Sequence, residues 1–188
     1  MIILLLYVDV VSMVESNTEL LQRLKEALME RFAMKDTGNV FLVLRMQITR
    51  DRVQGKLNIS QANFVKSLLE RFGMSECNPV YTPGTGPELS VTQPHENLLD
   101  SGGIKLYQAI VGSVMYLGTC SRFDIICAVS QLTRARSKPA KVHMTAAKHL
   151  LRYLKGSPDL SIEYIAGKIK LKGYCDASWG RTQITHVD

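Results

Sequence analysis

The chain opens on an apolar run, MIILLLYV, and a second run, VVSMV, follows directly after a single acid, Asp9. Short apolar runs broken by one polar residue predict strands rather than an amphipathic helix. Residues 2–8 and 10–14 are therefore expected to form a hairpin that turns near Asp9. The period then changes. Ser16-Asn17-Thr18-Glu19 has the spacing of a capping box, and Leu20, Leu21, Leu24, Leu28 and Phe32 recur on one helical face, which predicts a helix to about Phe32. Gly38 allows a sharp turn. Val40 to Thr49 reads as a strand, Gln54-Gly55 as a turn and Lys56 to Ile59 as the returning strand.

A second helix is expected from Ser60, with Phe64, Val65, Leu68, Leu69 and Phe72 on its apolar face and Gly73 at its C-terminal cap. The stretch from Gly73 to Gly103 carries Pro79, Pro83, Pro87 and Pro94 and shows no period. A connection of this length is either functional or a linker, and it divides the chain into a first and a second part. Three helices are expected next, at about 104–118, 123–136 and 140–155, the last with Pro139 at its first turn and Gly156 at its end. Two short strands then follow, Leu160–Ile165 and Lys168–Cys175, joined at Ala166-Gly167.

The 188 residues carry a formal charge of +6, which favours an anionic partner. The charge is local. Arg122 to Lys155 holds eight Lys or Arg and one acid, Asp124. Lys141, Lys148, Arg152 and Lys155 recur at steps that place them on one stripe of the last helix. Like charges on a stripe repel, and a nucleic-acid backbone would relieve that repulsion with release of counterions. His143 and His149, six apart, do not share a face and are expected to be surface or core histidines rather than metal ligands. The four cysteines form no CxxC pair and no zinc spacing, so they are expected to be reduced thiols of an intracellular protein. The first apolar run is too short for a membrane span and lacks a basic leader, so no membrane segment is expected.

Asp9 is unusual among its apolar neighbours, because a carboxylate there needs a partner. A turn that caps its own backbone would satisfy it, and so would a bound metal ion. The surrounding residues bear on this choice. Tyr7-Val8-Asp9-Val10 resembles the Tyr-Val-Asp-Asp hairpin of reverse transcriptases, with Val10 in place of the second Asp. FAMKDTG (32–38), ITRDRVQGKLNISQ (48–61), LLERFGMSECNPVYTP (68–83), YQAIVGSVMYL (107–117), LLRYLKGSPDL (150–160) and LKGYCDASWG (171–180) resemble, in order, segments of copia-type retrotransposon polyproteins.

The resemblance implies an α+β architecture in three parts. Residues 1–87 would be the C-terminal part of a reverse-transcriptase palm, a partial antiparallel sheet with two helices and the loop that follows. Residues 88–158 would be a basic three-helix thumb or connection segment. Residues 159–188 would be the first strands of an RNase H-like fold. It also implies two-metal chemistry with Mg2+. Asp9 would be a catalytic metal ligand, Lys35 would assist the departing pyrophosphate, and Asp176 would match the first catalytic metal ligand of RNase H. Both metal sites are expected to be incomplete in this stretch, because Val10 cannot bind a cation and the resemblance places the other carboxylates of each centre elsewhere in the family's sequence.

Two departures read as drift: Arg45 stands where the family usually has Gly, and Phe123 where it usually has Pro. The function expected is a fragment of an RNA-directed DNA polymerase with RNase H, inactive as this chain, with an RNA–DNA hybrid or other nucleic-acid backbone and the missing parts of the polyprotein as partners. The alternative is a residual or domesticated nucleic-acid-binding protein without enzymatic activity. A phospho-receiver-like α/β domain is disfavoured by three consecutive helices and a basic second half. The exposed apolar strand MIILLLYV is also an expected aggregation site.

Overall fold

A computed structural model describes residues 2–15, 17–84, 89–90, 93–167 and 172–175. Strands β1 (Ile3–Tyr7) and β2 (Val10–Val14) form a two-stranded antiparallel hairpin in which Tyr7 faces Val10. Helix α1 (Thr18–Arg31) follows. Its N-terminal cap is Asn17, whose side chain accepts from the Leu20 amide at 3.1 Å. Ser16, the first residue of the expected capping box, lies outside the described residues.

The single strand expected over Val40–Thr49 is two strands. β3 (Leu42–Val43) and β4 (Met46–Asp51) pair through a turn at Leu44-Arg45, and both turn residues have positive φ, 49° and 61°. Two left-handed residues in succession reverse a strand in two positions, and the hydrophobic pattern does not reveal it. β5 (Lys56–Ser60) pairs antiparallel with β4, and β6 (Ser161–Ile165) pairs antiparallel with β5. The sheet order is β3-β4-β5-β6.

β6, expected from the sequence as a short strand after the helices, joins this sheet through its pairing with β5. Its alternation matches that of β5. Ile162 lies opposite Ile59 and Tyr164 opposite Leu57, while Lys56 reaches Glu163 at 3.6 Å on the other face. Cross-strand pairs of this kind set register. Residues 172–175, part of the second strand expected there, have no regular structure, and the rest of that segment and Asp176 lie outside the described residues.

The core is helical. α2 (Ala62–Arg71) contributes Val65, Leu68 and Leu69, and Gly73 ends it with φ +65°. α3 (Ser101–Cys120), capped by Asp100 on the Gly103 amide, contributes Tyr107, Ile110, Val111, Val114 and Leu117. A 3-10 turn at Phe123–Ile125 leads into α4 (Ile126–Arg134), and α5 (Lys141–Gly156) closes the core with Ala147, Leu150, Leu151 and Leu154. Tyr107 is fully buried, and its hydroxyl donates to the Leu132 carbonyl at 2.7 Å. Burial pushes its pKa up to about 12. Because α2 lies in the same core as α3–α5, the segments on either side of the 87/88 division pack together.

The connection after Gly73 is a strap laid along α5 rather than an open linker. Lys155 donates through Nζ to the Ser75 carbonyl. Arg152 donates to Asn78 O at 2.7 Å, His149 to Thr82 O at 2.9 Å and His143 to Ser90 O at 3.0 Å. The Leu99 amide then donates to Pro139 O at 2.9 Å, and Leu98 bridges Ala140. Numbers rise along the strap as they fall along the helix, so the two run antiparallel. Gly156 suits this contact: a Cβ there would meet Pro79 Cβ at 3.1 Å and Val80 O at 3.2 Å, so the strap would have to shift to admit it. Among the described residues no helix is long and apolar enough to cross a membrane.

The N-terminal elements are packed quite differently. Every residue of β1 is more than half exposed, and α1 buries none of its residues. A shallow apolar groove lined by Leu5, Tyr7, Val10, Leu42, Val43 and Leu44 lies between the hairpin and β3. The N-terminal apolar run is therefore paired within its hairpin but open to solvent.

Candidate functional site

The register Tyr7↔Val10 leaves Val8 and Asp9 as the two residues of the hairpin turn. Val8 has φ +53°, a conformation that β-branched residues avoid. It is 83% exposed, so no packing offsets the strain. Replacing Val8 with glycine should relieve about 1 kcal/mol after the entropy cost of the glycine. The expected readout is an approximately fivefold slowing of amide exchange in the β1–β2 pairs; unchanged or faster exchange would contradict it.

Asp9 is exposed and, among the described residues, its carboxylate takes part in no hydrogen bond or ion pair. It is thus presented outward at the tip of a tight turn rather than capping its own backbone. Val10 beside it adds no oxygen donor. Among the described residues no three His, Cys, Asp or Glu cluster to hold a metal ion. A hard divalent cation takes several oxygen ligands, and two-metal chemistry needs carboxylates shared between both ions. One lone carboxylate does not fit that requirement.

Lys35 lies in the exposed segment between α1 and β3. Its neighbour Asp36 is the anchored residue, bonding Lys25 of α1 and the Gly38 amide, each at 2.9 Å. The Lys25 hydrogen bond, helped by that amide, holds the Asp36 carboxyl below its usual value. No hydrogen bond or ion pair joins Lys35 to Asp9. Arg45, where the resemblance places a glycine, occupies a left-handed position that glycine adopts without strain. Its guanidinium lies 5.4 Å from the Phe64 ring centroid, and Tyr116 donates to the adjacent Leu44 carbonyl.

The four cations expected to line α5 divide into two kinds. Lys141 and Lys148 are exposed, and their side chains make no bonds among the described residues. Arg152 and Lys155 hold the strap through backbone carbonyls. Arg122, counted in the same basic segment, is not a surface charge at all. It is 1% exposed and lies between α3 and α4. Its Nε and Nη2 donate to the two Asp124 oxygens at 2.9 and 2.7 Å, and Nη1 and Nη2 donate to Ser157 O and Oγ at 2.7 and 2.9 Å. The guanidinium lies 5.6 Å from the Tyr153 ring centroid. Burial alone would raise the Asp124 pKa, but hydrogen bonds from Arg122 and Tyr153 outweigh it and hold the carboxyl below its usual value.

His143 is likewise structural. Its Nδ1 accepts from the Ala140 amide at 2.9 Å, so Nε2 carries the proton that it donates to Ser90 O. Neither residue stood out in the sequence as a structural anchor. The available signal was Asp124, the sole acid in that basic segment and two residues from Arg122.

An exposed Tyr-Val-Asp turn on a two-stranded hairpin, followed by an antiparallel sheet and a helical core, is what the comparisons with known proteins bear on. A family model described as reverse transcriptase (RNA-dependent DNA polymerase) matches residues 1–85. The chain is 38% identical over 179 residues to the retrovirus-related Pol polyprotein from transposon TNT 1-94 of Nicotiana tabacum, a match that spans 94% of this chain and 14% of that protein. It is 34% identical to the retrovirus-related Pol polyprotein from transposon RE2 of Arabidopsis thaliana, across 95% of this chain and 12% of the relative. An uncharacterized mitochondrial protein of Arabidopsis thaliana is 32% identical, with 94% of this chain and 71% of that protein matched. The chain belongs to the copia-type retrotransposon Pol polyprotein family and corresponds to a part of such a polyprotein that includes reverse-transcriptase sequence. No solved structure matches it.

Proposed function

We propose that this chain is the part of a copia-type RNA-directed DNA polymerase that runs from the catalytic hairpin through the end of the palm, into a helical thumb or connection segment and the opening of RNase H. Its substrate in the whole polyprotein is a primer–template such as an RNA–DNA hybrid. The observation that carries this reading is the Val8-Asp9 turn, which offers one uncommitted carboxylate to solvent in a Tyr-Val-Asp context.

In this reading Asp9 is a metal ligand and Lys35 serves the departing pyrophosphate. Asp176 marks the RNase H segment. The remaining carboxylates of either centre would come from other parts of the polyprotein. Val10 removes one oxygen ligand that the polymerase centre needs, so the chain alone is catalytically silent. Purified chain given an oligo(dT)-primed poly(rA) template, dTTP and Mg2+ should incorporate no nucleotide above a protein-free control. Metal-dependent primer extension would overturn the reading.

A further inference from the structure

We infer that the phosphate-binding surface of this chain is the corner between α4 and α5, carried by Arg136, Lys138 and Lys141 with Lys148 about two helical turns further on, rather than the whole basic stripe of α5. The inference rests on the polymerase reading for the identity of the partner, a nucleic-acid backbone. The structure supplies the location by subtraction. Arg122 is buried in its clamp, while Arg152 and Lys155 are half-buried and each held against the strap by one bond to a backbone carbonyl. Arg136, Lys138, Lys141 and Lys148 are exposed, and their side chains make no hydrogen bond or ion pair among the described residues.

The corner is rigid and electrostatically unrelieved. Gln108 donates to the Arg136 carbonyl at 3.1 Å and the Leu99 amide to the Pro139 carbonyl at 2.9 Å, so the backbone is pinned on both sides of Lys138. Pro139 and Ala140 are buried, which fixes the entry into α5. That entry has no acidic residue in its first turn, and Ala140 at the cap has no side-chain acceptor. Lys138 and Lys141 thus sit against the positive end of the helix dipole, where cations are disfavoured. The only acid between Arg122 and Lys155, Asp124, is already committed to Arg122. Cations held on a fixed backbone with no ion-pair partner among the described residues are matched to a polyanion, which gains entropy by releasing its counterions.

The test is fluorescence anisotropy with a labelled RNA–DNA hybrid, titrated at several salt concentrations. Arg136→Gln/Lys138→Gln/Lys141→Gln is compared with a charge-matched control, Arg50→Gln/Arg52→Gln/Lys66→Gln, after circular dichroism shows that both are folded. The first variant should bind at least about tenfold more weakly at low salt and lose roughly 2–3 from the slope of log K against log salt. The control should stay within about twofold of wild type. Equal losses in the two variants, or an unchanged slope in the first, would overturn the assignment while leaving the polymerase reading intact. Wild-type chain that does not bind the hybrid at low salt would sink the assignment and remove nucleic acid as the partner of this chain.

Discussion

Replacing Arg122 with alanine is expected to lower the unfolding free energy by about 2–3 kcal/mol, less than the loss for a fully buried ion pair because the Asp124 carboxylate left behind is partly exposed. The side chain is almost completely buried and satisfies four acceptor contacts, two on Asp124 and two on Ser157. Without it the Asp124 carboxylate keeps only the Tyr153 hydroxyl, and the Ser157 carbonyl at the end of α5 loses its donor. Arg122→Lys should recover less than half of the loss, because an ammonium cannot span a carboxylate and a carbonyl as a planar guanidinium does. Urea titration followed at the helical signal measures both. A loss below about 1 kcal/mol would show that the clamp is not the joint it is taken to be.

The same pair sets an acid limit. The folded state holds Asp124 below its ordinary value of 3.8, so its contribution is present above about pH 4 and is lost as pH falls through the lower folded value. The gap between wild type and Arg122→Ala should therefore narrow below about pH 4.

Hydrogen exchange should divide the chain in two. Amides of β1, β2 and α1 are expected to exchange at least roughly a hundredfold faster than those in the middle of α3 and α5, a difference near 3 kcal/mol in opening free energy. α3 and α5 each bury six residues, whereas α1 and β1 bury none. Leu21, Leu24 and Leu28 of α1 are only partly covered. A helix of 14 residues is marginal on its own, and so is a two-stranded hairpin. The fully paired but open face Ile3–Tyr7 is also where association between molecules should begin. Uniform protection across the chain would mean that the N-terminal elements are covered in solution by contacts absent from this fold.

Several elements were legible because their signals are local. The turn at Asp9, the helix that starts after Asn17, the stop at Gly73 and the three consecutive helices all follow from spacing and cap chemistry within a few residues. The glycine expected near Arg45 also has a local meaning, since that position is left-handed. The strap was illegible for the opposite reason. Its proline-rich sequence has no period, and its bonds join residues as far as 80 apart, as in Lys155 to Ser75. The pairing of β6 with β5 was hidden in the same way, because a five-residue alternation does not say which sheet it joins.

By itself the sequence determined the family, the order of the helices and the lone carboxylate of the Tyr-Val-Asp turn, since each of these is written in short contiguous motifs. The tertiary structure alone decided which basic residues remain available to a partner. Arg122, Arg152 and Lys155 look the same in sequence as Lys138 and Lys141, but their partners are carbonyls and a carboxylate brought to them by folding. A cation's role depends on whether the fold has already engaged its donors and fixed its side chain, and that is a property of contacts between elements, not of any residue's place along the chain.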